Sequence, residues 1–398
     1  MRTSSGFRSF SSLVQVNPGA LKTTSVLLLA IAISLSSSLR IKRSPIDNSK
    51  ADRFTDFCFF AKTAQDRIIT ALEEEEKRYV AEVTGAYESL PINSSPIVFE
   101  RDQWERRATD SNEIEGEGAT CVLQRGNIFE KAGVSTTFTT GTLSKQRAEA
   151  ISGRRGIKDV EALVGTKYYA AALSLVLHSK SPMVPTFRSD IRYFELSDGC
   201  GWFGGGSDLT PYVLYEEDVG DFHRCLKATC DQYNRELYPV MKKQCDDYFY
   251  LPIRGEHRGT GGIFFDDLNC IQNNGHGVLN ENNFVSTHEN RDDLALVMSF
   301  VKDICNTWMP SYLPIVRRRC RESYTSRERH WQEIRRGRYI EFNMLYDRGV
   351  KFGLVPGGRI EAVFVSCPPK VAWDYNYQAN ENEQKLIDIL KKPKSWVS

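Results

Sequence analysis

Residues 56–80, DFCFFAKTAQDRIITALEEEEKRYV, bring Phe57, Phe60, Ala61, Ala64, Ile68, Ala71 and Leu72 back every three to four positions. That period predicts a helix with one apolar stripe and one charged face. Two further stretches show it: DFHRCLKATCDQY, with Phe222, Cys225, Leu226, Thr229, Cys230 and Tyr233, and DDLALVMSFVKDIC, with Leu296, Val297, Phe300, Val301 and Ile304. ENEQKLIDILKK predicts a short C-terminal helix. Other stretches read as strands: IRYFEL (191–196), GGIFFDDL (261–268), and two that alternate in steps of two, RYIEFNMLY (338–346) and RIEAVFVS (359–366). No regular strand–helix–strand rhythm and no repeat is present. The fold class is therefore α+β: one largely antiparallel sheet with helices on its outer faces. Nothing rich in Pro, Gly and Ser divides residues 51–398, which we take as a single domain.

The stretch SDGCGWFGGGSDLTP (197–211) is unusually rich in glycine and sets a carboxylate, Asp208, just after the glycine run and two residues before a Thr-Pro pair. Gly199, Gly201 and Gly204 match the spacing of a dinucleotide fingerprint, and a strand-like segment precedes them. The helix that should follow is opposed by Gly205, Gly206 and Pro211, and no phosphate-loop lysine is present. A nucleotide site is set aside. A hairpin or hinge explains the glycines without explaining Asp208. The reading that explains both is a mobile flap that closes backbone over a ligand.

Lys and Arg total 52 against 51 Asp and Glu, which argues against a general nucleic-acid surface but leaves room for a local basic pocket. Ten scattered cysteines without a C-x-x-C pair argue against a zinc ribbon and against a disulfide framework. The first 46 residues carry no acid, six basic residues, many Ser and Thr, and the apolar run SVLLLAIAISL. Residues 1–50 are read as a targeting presequence, the run being short for a membrane span. The mature domain is expected not to span a membrane.

Four segments join polar residues to glycine. The first holds Ser174, His178, Arg188, Asp190 and Arg192, and the second Asp208. The third holds Arg254, Glu256, His257, Arg258 and Gly261–Gly262; the fourth holds Arg348, Lys351 and Gly357–Gly358–Arg359. Glycines let backbone amides approach an anion, and arginine grips carboxylates with two nitrogens. The set suits a ligand with several carboxylates. The six histidines show no metal spacing, and no nucleophile elbow is visible.

Several long motifs are similar to those of oxygen-dependent coproporphyrinogen III oxidase: WFGGGSDLTP, CDDYFYLPIRGEHRGTGGIFFDDL, RRGRYIEFNMLYDRGVKFGL, PGGRIEAVFVSCPP, QWERR, CVLQRGNIFEKAGVS and the ending KPKSWV. The resemblance runs from about residue 55 to the C-terminus. It implies a homodimer with a large curved antiparallel sheet flanked by helices. It also implies oxidative decarboxylation of two propionates of coproporphyrinogen III to vinyls, giving protoporphyrinogen IX in haem and tetrapyrrole biosynthesis. Molecular oxygen is the implied co-substrate, with neither metal nor organic cofactor; the organelle, a plastid or a mitochondrion, is read from the presequence instead. Ser174, Asp190, Ile191, Arg192, Gly357, Gly358 and Arg359 fall at its substrate-binding positions. Asp208 is the candidate acceptor for the pyrrole N–H groups, and Arg192 the candidate for orienting the departing carboxylate.

The resemblance has gaps. Where its pattern has a histidine proton donor this chain has Arg188, and where it commonly has asparagine, Asp190. Ile253 replaces another histidine, and Glu115 and Glu117 replace glycines. Arginine stays protonated and is a poor proton donor. If the histidine is indispensable, the chain is a catalytically impaired paralogue that binds a porphyrinogen without turnover. If Asp208 and Arg192 suffice, it is a working oxidase. Arg188 and Asp190 are expected on the same side of one strand, a positive charge balanced by a negative one.

Overall fold

A computed structural model of the chain describes residues 53–84, 95, 97–108, 113–155, 159–271, 277–280, 283–286, 291–354 and 358–397. The expected presequence and Gly357 lie outside the described residues.

The described residues open with α1 (Arg53–Thr84), then β1 (Glu100–Arg107), β2 (Ile114–Gln124), β3 (Phe129–Thr142), α2 (Lys145–Arg155), β4 (Lys167–Ser179), β5 (Thr186–Leu196) and β6 (Gly201–Thr210). Next come α3 (Glu216–Asp231), α4 (Leu237–Tyr248), β7 (Tyr250–Leu251), β8 (Glu256–His257), β9 (Gly261–Leu268), β10 (Gly277–Asn280) and β11 (Asn283–Ser286). Five helices finish it: α5 (Arg291–Arg319), α6 (Ser326–Leu345), α7 (Arg348–Gly353), α8 (Ile360–Phe364) and α9 (Glu381–Lys391). Seven strands form one open antiparallel sheet in the order β1-β2-β3-β4-β5-β6-β9. The α+β class, the sheet and its flanking helices are as the sequence led us to expect.

Alternation along each strand sorts side chains onto two faces. On one, Leu173, Ile191 and Phe203 are fully buried beneath α1 and α5, and the Phe57 ring of α1 lies 5.8 Å from that of Tyr193 and 5.9 Å from that of Phe203. Removing such a buried aromatic costs about 3–5 kcal/mol. The other face carries a cross-strand row set by the register: Trp104, Gly118, Thr137, Ala172, Arg192 and Gly204. Its middle is small residues, so the sheet is nearly bare there.

Three expectations need correction. Residues 338–346 are the end of a helix, α6. A reciprocal cap of Thr325 and Glu328 starts it, and its buried positions, Trp331, Ile334, Arg335, Tyr339, Phe342 and Asn343 among them, recur at helical spacing. The apparent alternation fails at Glu341, which is not buried. Residues 359–366 are not a strand either. They hold α8, and Lys131 Nζ donates to the carbonyl of Phe364 at the helix end and to that of Cys367 just beyond it. The glycine-rich stretch is not a flap. Residues 201–210 form the interior strand β6, buried along its whole length and hydrogen-bonded to β5 and β9. The freedom of glycine is used at the turn before it, where Gly199 has φ +94°.

Candidate active site

A cavity of about 340 Å³ opens over the bare middle of the sheet. Its floor is Thr137, Thr139 and Ala170–Ala172, with Gly204 beyond Arg192. An added Cβ at Gly204 would stand 2.8 Å from Arg192 Nη2 and 2.9 Å from Asp266 Oδ1, so glycine there lets the guanidinium lie flat across β6. Aromatic rings wall two sides. Phe194 stacks on Trp202 at 4.6 Å, and Tyr248 stacks on Phe264 at 4.3 Å and 7°.

Four arginines line the space: Arg154 from α2, Arg188 and Arg192 from β5, and Arg348 from α7. Arg188, Asp190 and Arg192 share a face because they sit two apart on one strand. Arg192 Nη1 donates to Asp190 Oδ2, and its Nη2 lies 3.7 Å from Asp266 Oδ1. Arg348 Nη2 lies 3.1 Å from Asp266 Oδ2, its guanidinium 5.1 Å from the Tyr248 ring centroid. Arg188 Nη2 lies 3.1 Å from Asp347 Oδ2. Asp347 also caps α7, accepting from the Val350 amide at 3.1 Å. Burial pushes the Asp347 carboxyl up, but Arg188 and the amides of Val350 and Gly349 outweigh it and hold the group below its ordinary value. Burial likewise opposes the charge on Arg188, yet Asp347, Tyr339, Asp190 and Asp208 hold its proton more firmly than usual. Position 188 is therefore a fixed cation. A guanidinium-rimmed space over an apolar, ring-walled floor suits a broad, flat molecule carrying several carboxylates.

Comparison with known proteins narrows this. The family model described as Coproporphyrinogen III oxidase matches residues 57–396. The chain is 41% identical over 344 residues to "Oxygen-dependent coproporphyrinogen-III oxidase, mitochondrial" of Mus musculus, covering 84% of this chain and 69% of that protein. It is 40% identical over 344 residues to the Homo sapiens protein of the same name (84% and 67% covered). To "Coproporphyrinogen-III oxidase 1, chloroplastic" of Arabidopsis thaliana it is 40% identical over 309 residues (75% and 72% covered). The chain belongs to the coproporphyrinogen III oxidase family.

Of the residues singled out in this member of the coproporphyrinogen III oxidase family, Arg188, Asp190, Arg192 and Arg348 meet at the cavity. Arg188 and Asp190 do face the same side, but Arg188 pairs with Asp347 and Asp190 with Arg192. Ser174 stands across from Asp190 on the same face, half-buried, outside the cavity lining. The Ile191 side chain is fully buried on the opposite face, since strand alternation turns it away. Asp208 is cross-strand from Arg188 on the cavity face but does not line the cavity. It is 4% exposed, and Arg258 Nη2 donates to its Oδ1 at 2.7 Å and Oδ2 at 2.8 Å. A lone carboxylate there would be costly, and the guanidinium, sandwiched by Phe249, Tyr339 and Phe342, answers it. Arg359, next to Gly358, is held by Asp102 and lies 5.4 Å from the Trp104 ring centroid, at the far end of the small-residue row. That is four strand spacings from Arg192, about 19 Å.

Sequence reading missed Asp266, Asp347, Tyr248, Phe264 and Arg154. The run FFDDL, a strand ending in acids, was the available signal for Asp266; Arg154 is brought in by α2 from a part of the chain without any signal.

Proposed function

We propose that this chain catalyses the oxygen-dependent oxidative decarboxylation of coproporphyrinogen III, turning two of its propionates into vinyls and giving protoporphyrinogen IX. Each new vinyl releases carbon dioxide, two electrons and one proton, and molecular oxygen takes the electrons. One observation carries the reading for this family member: four arginines ring a flat floor beside stacked aromatic walls. The arginines grip propionates, and Arg192, framed by Asp190 and Asp266, orients the carboxylate that leaves. The acceptor for the pyrrole N–H groups falls first to Asp190, which lines the cavity. Asp208 acts through Arg258 and its cross-strand neighbour Arg188, fixing the field at the enclosed end. Ser174, Gly358 and Arg359 contact the substrate's outer edge.

The oxygen chemistry is drawn from the electron-rich substrate, and we assign no metal or organic cofactor, the sequence offering no motif for one. The relatives bear mitochondrial and chloroplastic names; we read residues 1–50 as the presequence that delivers this chain to such an organelle, and the working unit as a homodimer. Among the described residues no helix is long and apolar enough to cross a membrane. A second reading, a paralogue that binds the porphyrinogen without turnover, is favoured by one observation: Arg188 is a cation locked to Asp347, with no proton to lend at neutral pH. An aerobic assay with protein lacking residues 1–50 decides. Protoporphyrinogen should accumulate; tight binding with no product would install the second reading.

A further inference from the structure

Three of the four cavity arginines already spend a terminal nitrogen on a protein carboxylate. Arg188 does so at Asp347, Arg348 at Asp266, and Arg192 at both Asp190 and Asp266. Arg154 differs. Its contact with Asp267 Oδ2 is through Nε, at 3.0 Å, and its two terminal nitrogens enter no ion pair among the described residues. The two-nitrogen end, the fork that matches a carboxylate, is left for a ligand.

Its holder is built for the purpose. Consecutive strand residues ordinarily point to opposite faces. Here Asp266 and Asp267 border the same hollow of about 460 Å³, which continues the cavity past Arg154, Tyr248, Phe264 and Arg348. The reason is local backbone: Asp267 has φ +52°, in the left-handed region that a non-glycine residue enters at a cost. Asp267 is 4% exposed, and its Oδ1 is buried without a hydrogen-bond partner among the described residues. Arg155 pins the end of α2 alongside, its guanidinium 4.4 Å from the Trp202 ring centroid.

The two ends of the site differ in exposure. Side chains at the Arg188–Asp347 end are 20% and 1% exposed, whereas those of Arg154 and Arg348 are 37% and 47% exposed. Arg192, although its side chain is 39% exposed, borders the first cavity alone, between Asp190 and Asp266; Arg154 borders the outer hollow as well, where a carboxylate that survives the reaction can stay in water. We propose that Arg154, positioned by Asp267, is a specificity-determining residue that grips a propionate the reaction leaves in place. This rests on the oxidase reading above.

Two porphyrins separate the possibilities, and their oxidised rings are fluorescent stand-ins for the substrate. Coproporphyrin III carries all four propionates, and mesoporphyrin IX carries only the two retained ones, with ethyls at the reacting positions. Binding of each is followed by fluorescence quenching for wild type, Arg154→Gln and Arg154→Lys. R154Q should weaken both porphyrins by a common factor on the order of ten- to a hundredfold, with R154K restoring part of it. In turnover, R154Q should raise KM with kcat little changed, and D267N should do the same more weakly. Loss for coproporphyrin alone would place Arg154 at a reacting carboxylate, and no loss would take it off the substrate; either overturns the proposal. The common loss in a protein that never makes vinyl product would support Arg154 and sink the oxidase reading instead.

Discussion

A single nitrogen of Arg258 serves both oxygens of Asp208, at 2.7 and 2.8 Å, and both side chains are sealed from water. Either partner alone would be a buried, unanswered charge. Asp208→Asn should therefore lower the unfolding free energy by about 3–5 kcal/mol. A double replacement, Asp208→Leu with Arg258→Met, should cost less than the sum of the single changes. Denaturant unfolding of D208N and of the full cycle (wild type, D208L, R258M and the double variant) checks this; strict additivity would mean the pair contributes nothing as a pair.

Gly204 lies under the Arg192 guanidinium. Gly204→Ala puts a methyl group within 3 Å of Arg192 and Asp266. The expected result is a folded protein with kcat/KM reduced about a hundredfold, because Arg192 is displaced by roughly an ångström. Circular dichroism and the vinyl assay measure the two halves; unchanged turnover would remove Arg192 from the chemistry.

Position 188 tests the proton supply. Arg188 keeps its charge at every accessible pH, so the wild-type pH–rate profile should show no limb from it. Arg188→His introduces a group that titrates near neutrality, and the profile should gain a limb at about pH 6–7. A profile identical to wild type would place residue 188 away from the reacting centre.

Two histidines set an acid limit on the fold. His223 is buried, its Nε2 donating to the Thr260 carbonyl at 3.2 Å and its Nδ1 accepting from Tyr238 at 2.8 Å; burial pulls its pKa down to about 3. His178 is held likewise between Ser366 and Thr186, and burial drives it well below its usual value. Unfolding frees both to take up protons near pH 6.5. Their contribution is therefore complete above about pH 6.5 and lost as pH falls, by about 1.4 kcal/mol per pH unit for each. Denaturant titrations at pH 7.5, 6 and 5 should show the slope; constant stability across that range would contradict it.

What the sequence disclosed follows from range. Helices such as α1 and α3 were legible because their stripes are local, and Arg188, Asp190 and Arg192 were legible as a group because they share one strand. The residues 338–346 misled because every second residue and every third or fourth can both look periodic over nine positions; the cap that decides the matter, Thr325, lies thirteen residues upstream. Asp208 was legible as a special carboxylate, but its partner Arg258 is fifty residues away, and only packing against Phe249, Tyr339 and Phe342 brings them together. Arg154 was illegible for the same reason.

The floor beneath the cavity is backbone dressed with hydrogen, methyl groups and the hydroxyls of two threonines, held by the hydrogen-bond ladders of consecutive strands. Its ordering was completed when the sheet formed, so a guest that settles on it exacts no further conformational entropy from that surface. Adaptation to a new cargo is thereby delegated to the cationic rim, while the platform itself stays preorganised and indifferent to what it carries.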